Sequence, residues 1–132
     1  MDVGCAVITD GSKILIAQRK EEGHLPGFWE FPGGKCDPGE TMEACLKREA
    51  FEELGVQIQP VRFLCRREHA YPEKTVFLHF YLCRWLEGEP WPKDCQAVAW
   101  VLPEELKNYK FPPADDAVLK EITETSLIRE VG

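Results

Sequence analysis

The sequence has no Cys-x-x-Cys pair, no repeat or low-complexity segment, and no apolar run approaching the ~18 residues of a membrane span. Those absences exclude a zinc knuckle, a thioredoxin-type redox motif and a membrane-crossing helix. Basic residues are also short. Sixteen Lys+Arg against 23 Asp+Glu leave a formal net charge of −7, the wrong sign for a surface that grips a nucleic-acid polymer through its phosphates. The same surplus would repel a small polyanion unless divalent cations and a few placed basic residues invert the local field. The six cysteines (Cys5, Cys36, Cys45, Cys65, Cys83, Cys95) fall at irregular intervals, three of them inside apolar strand-like runs. They read as small buried hydrophobes in a reducing compartment. Met1 to Gly4 shows no basic leader with a cleavage site, so the cytoplasm is the expected location.

What is present is ordinary for one globular domain, residues 1–132, with 44% hydrophobic, 11% aromatic and 30% charged residues. A chain of this size buries roughly two-thirds of its unfolded surface and needs neither metal nor disulfide merely to fold. Any metal must therefore be argued from chemistry. Nothing in the sequence marks an oligomer, and a monomer is the simplest expectation.

Val3 to Thr9 and Lys13 to Gln18 are β-rich runs joined by Asp10-Gly11-Ser12, which predicts a hairpin. Arg19 to Pro38 is dense in Gly and Pro and reads as a structured loop with room for a short strand at Trp29 to Phe31. From Thr41 to Leu54 the period is helical: Thr41 is a good N-cap, Met42, Leu46, Ala50 and Leu54 recur every four residues, and Gly55 can close the end. Val61–Tyr71 and Thr75–Trp85 predict two more strands, the second apolar on both faces and hence central. Gln96–Leu102 predicts a strand, Pro103–Asn108 a helical turn, and Asp116–Glu130 a terminal amphipathic helix. The expected class is α/β, a mixed sheet flanked by helices.

The strongest chemical signal is the helix bearing Arg48, Glu49, Glu52 and Glu53. Glu49 and Glu53 stand on one stripe, about 6 Å apart along the axis, with Glu52 beside them. Like charges at this spacing oppose helix formation by a few tenths of a kcal/mol per pair, and near a helix C-terminus the dipole disfavours them further. A solvated acidic face with Arg48 bridged to Glu52 is the bland reading. Yet Leu46 and Ala50 neighbour Glu49 and Glu53 on the wheel, so these carboxylates face the edge of the fold. Partly desolvated carboxylates need a counter-charge, and oxygen-only ligands select hard cations such as Mg²⁺ or Mn²⁺. Gly33-Gly34 just upstream lets backbone groups approach a metal or phosphate closely.

Together, Gly34, Glu40 and Arg48-Glu49-Ala50-Phe51-Glu52-Glu53-Leu54-Gly55-Val56 carry the spacing G-x5-E-x7-R-E-U-x-E-E-x-G-U, where U is a bulky aliphatic residue. This resembles the Nudix box (34–56 here) of the Nudix hydrolases, with Ala50 a small occupant of the first U. The resemblance implies an α/β/α sandwich and a loop–helix–loop that binds Mg²⁺, with Mn²⁺ a possible substitute. It also implies cleavage of a nucleoside diphosphate linked to another group. Glu49, Glu52 and Glu53 would be metal ligands, helped by a carbonyl of the Gly33-Gly34 turn. Arg48 would orient a box glutamate, Glu40 would support the loop, and Gly55 would be structural.

Trp29-Glu30-Phe31-Pro32-Gly33-Gly34-Lys35, Trp85-Leu86-Glu87-Gly88-Glu89-Pro90-Trp91 and Phe111-Pro112-Pro113-Ala114-Asp115 extend the likeness over nearly the whole chain and narrow it to the MutT type. That type implies a small-molecule nucleoside triphosphate substrate, with 8-oxo-dGTP favoured and monophosphate and pyrophosphate released. It implies triphosphate contact at Arg19, purine reading by the Phe31 backbone, base contact at Asp115, and a metal and water-activating role at Asp94. Asp94 has a solvated turn residue as its alternative, and Asp115 a helix cap. Lys35 and Lys74 are further phosphate candidates. Tyr71 and Trp29 read as packing residues, and His24, His69 and His79 as structural. The general base is left open among Glu49, Glu53 and Asp94. An ionised Asp at position 115 accepts hydrogen bonds only, where MutT-type enzymes carry an Asn that also donates, so a CTP or 5-methyl-dCTP pyrophosphohydrolase is the alternative. A non-catalytic nucleotide-binding module is disfavoured because every box glutamate is kept.

Overall fold

The computed structural model describes residues 1–22 and 25–131; His24 lies outside these, so its expected structural role is not addressed. The chain forms β1 (Asp2–Thr9), β2 (Ile14–Gln18), β3 (Trp29–Glu30), β4 (Gly33–Lys35), α1 (Met42–Leu54), β5 (Gln57–Ala70), β6 (Thr75–Glu87), β7 (Ala97–Val101) and α2 (Asp116–Glu124). Short 3-10 turns occupy Pro103–Asn108, Pro113–Asp115 and Leu127–Val131.

The sheet is mixed. β1 runs parallel to β6 from Asp2↔Phe77 to Thr9↔Arg84, β6 pairs antiparallel with the edge strand β5, and β2 pairs antiparallel with β7. β1 and β2 pair only at Ile8↔Leu15 and Thr9↔Ile14. Beyond those residues they diverge, and the Trp29–Lys35 segment fills the gap, with β3 on Ala17 and Gln18 and β4 on Val3 to Cys5. The wedge between the diverging strands is where the candidate site forms.

Alternation along β1 assigns its two faces. Ala6 and Ile8 join Leu15, Ala17, Leu46, Ala50, Leu54, Val56 and Ile58 in a core under α1. Val7 joins Ile14, Ile16, Phe31, Phe80, Leu82, Val101, Val118 and Ile122 in a second core under α2. Helix, sheet and helix make three layers, as the α/β/α expectation requires. α1 starts where Thr41 Oγ1 accepts the Ala44 N–H at 3.1 Å and ends at Gly55, whose φ of 73° lets its N–H reach the Phe51 carbonyl.

Four expectations need correction. The terminal helix stops at Glu124 because Thr125 is extended; its hydroxyl donates to the Glu121 carbonyl and accepts the Leu127 N–H, diverting the chain into a 3-10 turn. β5 begins at Gln57, four residues early, and tolerates Pro60 because it is an edge strand with irregular register there. The glycine turn is itself a strand, β4, and the short strand before it stops at Glu30. Cys36 and Cys45 are not independent buried thiols. The tight Asp37–Thr41 connection brings their Cα atoms to 5.2 Å, and they are disulfide-bonded.

Leu46 is fully buried between α1 and β1, whereas Leu86 is 50% exposed. Leu46→Ala is expected to lower the unfolding free energy by about 2–5 kcal/mol and Leu86→Ala to change it by less than about 1 kcal/mol. Urea denaturation of both variants checks the assignment, and equal losses would contradict it.

Candidate active site

The wedge is a cavity of about 690 Å³ lined by residues of β1, β3, β4, β5 and β6, the box helix, Arg19 just past β2, Asp94 and the segment before α2. On its helix side stand Glu49 and Glu53. Their approach to the glycine turn is close: a Cβ on Gly34 would collide with the Glu49 carboxylate, and one on Gly33 with the Gly4 carbonyl across the β1–β4 ladder. The Gly33 N–H donates to Glu53 Oε2 at 3.3 Å.

Glu53 is only 7% exposed, and its Oε1 has no hydrogen-bond partner among the described residues. Burial pushes its pKa up to about 8, with Glu30 adding to the rise, the Gly33 N–H opposing it, and Glu49 and Asp94 contributing less. A buried carboxylate with an unpaired oxygen beside a second carboxylate is a demand for positive charge that the side chains do not meet. The donors are all oxygen, which suits a hard divalent cation rather than a soft one. The residues present therefore fit a metal of that class.

Arg48 organises the flank. Its Nε and Nη2 grip Glu40 in a two-pronged contact at 2.7 and 2.9 Å, Nη1 reaches Glu49 at 2.9 Å and Glu52 at 3.2 Å, and Nη2 donates to the Lys35 carbonyl at 3.0 Å. Arg48 and then the Asp37 N–H hold the Glu40 carboxyl down at about 2. Arg48 thus ties Glu40 of the loop and Glu49 of the helix to one guanidinium. Glu52 is placed differently from its box partners: 57% exposed at the side chain, it faces Arg48 outside the cleft lining.

At the opposite end Asp115 is 7% exposed. Its pKa is pushed up to about 7 by burial first, then by Glu30 and Asp116, with Arg19 pulling the other way. Its side chain makes no capping bond to α2, which removes the helix-cap alternative. The buried Phe31, also on the lining, stacks on Phe111 with ring centroids 5.3 Å apart. Arg19 lines the cleft and pairs with Glu30 at 3.0 Å. Lys35 lies at the rim. Asp94 reaches the lining, but its side chain is 73% exposed and bridges to Lys20 at 2.9 Å, while its N–H bonds the Glu53 carbonyl.

Lys74 is not brought to the site. It lies exposed in the β5–β6 turn, its carbonyl bonded by the Tyr71 N–H. Trp29 packs on Tyr109 at 5.0 Å and His79 bonds Asp2 at 2.9 Å, both away from the lining. His69 and Tyr71, in ring contact at 4.4 Å, instead line the far wall with Arg67.

Sequence reasoning passes over Glu30. It is held in β3 opposite Ala17, its pKa is raised by burial against the pull of Arg19, and it raises the pKa of both Glu53 and Asp115. The available signal was an acid between two aromatics in a two-residue strand beside the glycine turn.

A family model described as the NUDIX domain matches residues 4–121. The 8-oxo-dGTP diphosphatase of Escherichia coli (strain K12) is 34% identical over 113 residues, 86% of this chain and 88% of that protein. The CTP pyrophosphohydrolase of the same organism is 32% identical over 120 residues, 91% and 89% of the two chains. Among solved structures, the MutT Nudix hydrolase from Burkholderia pseudomallei matches with a TM-score of 0.81 and 27% identity over 92% of this chain and 97% of that one. A glutamate-lined cleft under a box helix, in a chain matched along nearly its whole length by these relatives, places it in its family: the chain belongs to the NUDIX domain family, as a MutT-type Nudix hydrolase.

Proposed function

We propose that the protein hydrolyses a nucleoside triphosphate to the monophosphate and pyrophosphate, with 8-oxo-dGTP the favoured substrate and Mg²⁺, or Mn²⁺ in its place, as cofactor. The observation that carries this reading is one cleft that brings the buried Glu53, with an oxygen left unpartnered, and the neighbouring Arg48-held Glu49 together with the buried Asp115 and Phe31. One end suits phosphates and cation, the other a base.

Glu49 and Glu53, with backbone oxygen from the Gly33-Gly34 turn, would hold the cation; Asp94 would join from the cleft lining, and Glu52 would join by turning in from its Arg48 contact outside it. The cation would neutralise phosphate charge and lower the pKa of a bound water. Arg48 keeps Glu49 aimed into the cleft. Arg19 and Lys35 supply positive charge to the phosphates at the wall and rim, with Glu30 holding the Arg19 guanidinium in place. The half of the cleft over Phe31 excludes water from the base and gives Asp115 low-dielectric surroundings.

The protonation of Asp115 decides what that end can read. Near neutrality the carboxyl is divided between a neutral form, which donates and accepts like an amide, and a carboxylate, which only accepts. The neutral form matches a purine edge carrying both donors and acceptors. The ionised form matches the exocyclic amine of cytosine, which is the observation favouring a second reading as a CTP-type pyrophosphohydrolase.

Pyrophosphate release from 8-oxo-dGTP, dGTP, dCTP and 5-methyl-dCTP, with Mg²⁺ and with a chelator, tests the proposal. A kcat/KM preference for 8-oxo-dGTP over dGTP of tenfold or more supports it, and a cytosine preference transfers the assignment to the second reading. Glu53→Gln is expected to cut turnover about 100-fold or more while leaving the protein folded, because it removes a ligand charge that is unfavourable in the metal-free protein. Turnover within a few-fold of wild type would remove Glu53 from the site.

Asp115 also gives a signed pH dependence. Its folded pKa lies above the ordinary carboxylate value, so the folded state holds an extra proton between about pH 4 and 7 and stability falls as pH rises through that window. Asp115→Asn is expected to raise the melting temperature at pH 8 but not at pH 4, and to flatten the pH dependence of the 8-oxo-dGTP to dCTP preference between pH 6 and 8. A melting difference that is the same at both pH values would contradict the burial of this charge.

A further inference from the structure

Outside the cleft, two sulfurs stand at the seam between the glycine turn and the box helix. Cys36 directly follows β4, Cys45 lies in the first half of α1 one turn before Glu49, and they are bonded. Each residue of β4 touches the helix. The Gly33 N–H meets Glu53, Gly34 packs on Glu49, and the Lys35 carbonyl accepts from Arg48. The sulfur bond is thus a covalent tie across a seam otherwise closed by hydrogen bonds.

The two sulfurs differ in access. Cys45 is fully buried, whereas Cys36 is half-buried and lines a second cavity of about 640 Å³ together with Met1, His79 and Tyr81. A small reagent reaches Cys36 through that cavity without passing through the substrate cleft. The other cysteines are poorly suited to oxidation. Burial pushes the thiols of Cys83 and Cys95 up to about 12 and about 11, and raises those of Cys5 and Cys65. A soft-metal site is not the better reading of the pair. Glu40 has an oxygen within 4.8 Å of both sulfurs, but it is already committed to Arg48 and the Asp37 N–H.

We propose that Cys36 and Cys45 are a reversible redox modification site, clamping the Gly33–Lys35 turn onto α1 when oxidised and releasing it when reduced. In the oxidising direction two thiols give two protons and two electrons to a peroxide. The O–O bond breaks to form water and an alcohol, or two waters from hydrogen peroxide, as the S–S bond forms. In the reducing direction the thiolate of a small dithiol attacks Cys36 Sγ, and Cys45 leaves as a thiolate that takes up a proton. The second sulfur of the dithiol then displaces Cys36, which is protonated in turn, and departs as a cyclic disulfide. The clamp acts on the unfolded chain by closing a short loop, and on the folded chain by holding the turn in register against Glu49 and Glu53.

The test compares the metal-free wild-type protein after hydrogen peroxide and after dithiothreitol, by alkylation mass spectrometry, thermal unfolding and amide hydrogen exchange. Oxidation is expected to remove two thiols, those of Cys36 and Cys45, to raise the melting temperature by on the order of 10 °C, and to slow exchange at Gly34 and Lys35 about tenfold or more. Dithiothreitol is expected to reverse all three. Cys36→Ser, the milder substitution because that sulfur is half-buried, is expected to match the reduced wild type in melting and to respond to neither reagent. Loss of thiols at other cysteines, or identical melting and exchange in the two wild-type forms, overturns the proposal. The wild-type comparison decides the matter even where the variant fails to fold.

Discussion

One guanidinium holds the acidic side of this molecule together. α1 carries Glu49, Glu52 and Glu53 within five residues, with only Glu43 at its favourable end, so the helix is electrostatically opposed to its own sequence. Arg48 offsets that opposition by binding Glu40, Glu49 and Glu52 and the Lys35 carbonyl at once. A lysine could not do this. A single ammonium lacks the planar fork that serves partners on the loop, the helix and the strand in fixed directions. What Arg48 does not reach is Glu53, and the buried carboxyl left there without a counter-charge is what fits the cleft to a cation.

The splay of β1 from β2 is the second dependency. Two strands paired along their whole length would close the sheet and leave no wedge. Because they pair at only two positions, the Trp29–Lys35 segment must supply strands to both, and its glycines bring backbone to within contact of helix carboxylates. The buried acids Glu53 and Asp115 and the half-buried Glu30 line that wedge, beside apolar residues such as Val3, Phe31, Leu78 and Phe80. Their raised pKa values share a cause, removal from water, and Glu30 couples the two ends of the cleft by acting on both of the others.

Much of this was legible in the residues. The caps at Thr41 and Gly55 and the buried stripe of α1 follow from spacing alone, because a helix converts sequence separation into angle, whereas the roles of Arg48 and Glu40 came from the family resemblance. What was not legible depends on contacts between segments distant in sequence or on local competition. Glu30 looks like any strand-edge acid until β2 and the glycine turn close over it. Lys74 looks like a phosphate ligand until the β5–β6 hairpin carries it away. The early end of α2 at Thr125 is a contest between a hydroxyl and the helix backbone that periodicity does not register. The Cys36–Cys45 pair required the turn between them to be known as tight; a separation of nine residues is equally compatible with two unrelated thiols.

An interior this acidic has a consequence for recognition. With a net charge of −7 and six acidic side chains on its lining, the cleft would, under the proposed function, repel a bare triphosphate while admitting one that arrives with divalent cations. The anion would then be accepted only in the company of the species needed to cleave it, which would couple binding to readiness for hydrolysis. Asp115 extends the same economy to the base end. A carboxyl poised near neutrality can present either hydrogen-bonding pattern, and Glu30, which raises its pKa, also raises that of Glu53. Under the proposed function, a cation on Glu53 would change the field in which Glu30 sits, and Glu30 in turn acts on Asp115, so the two halves of the cleft would titrate together.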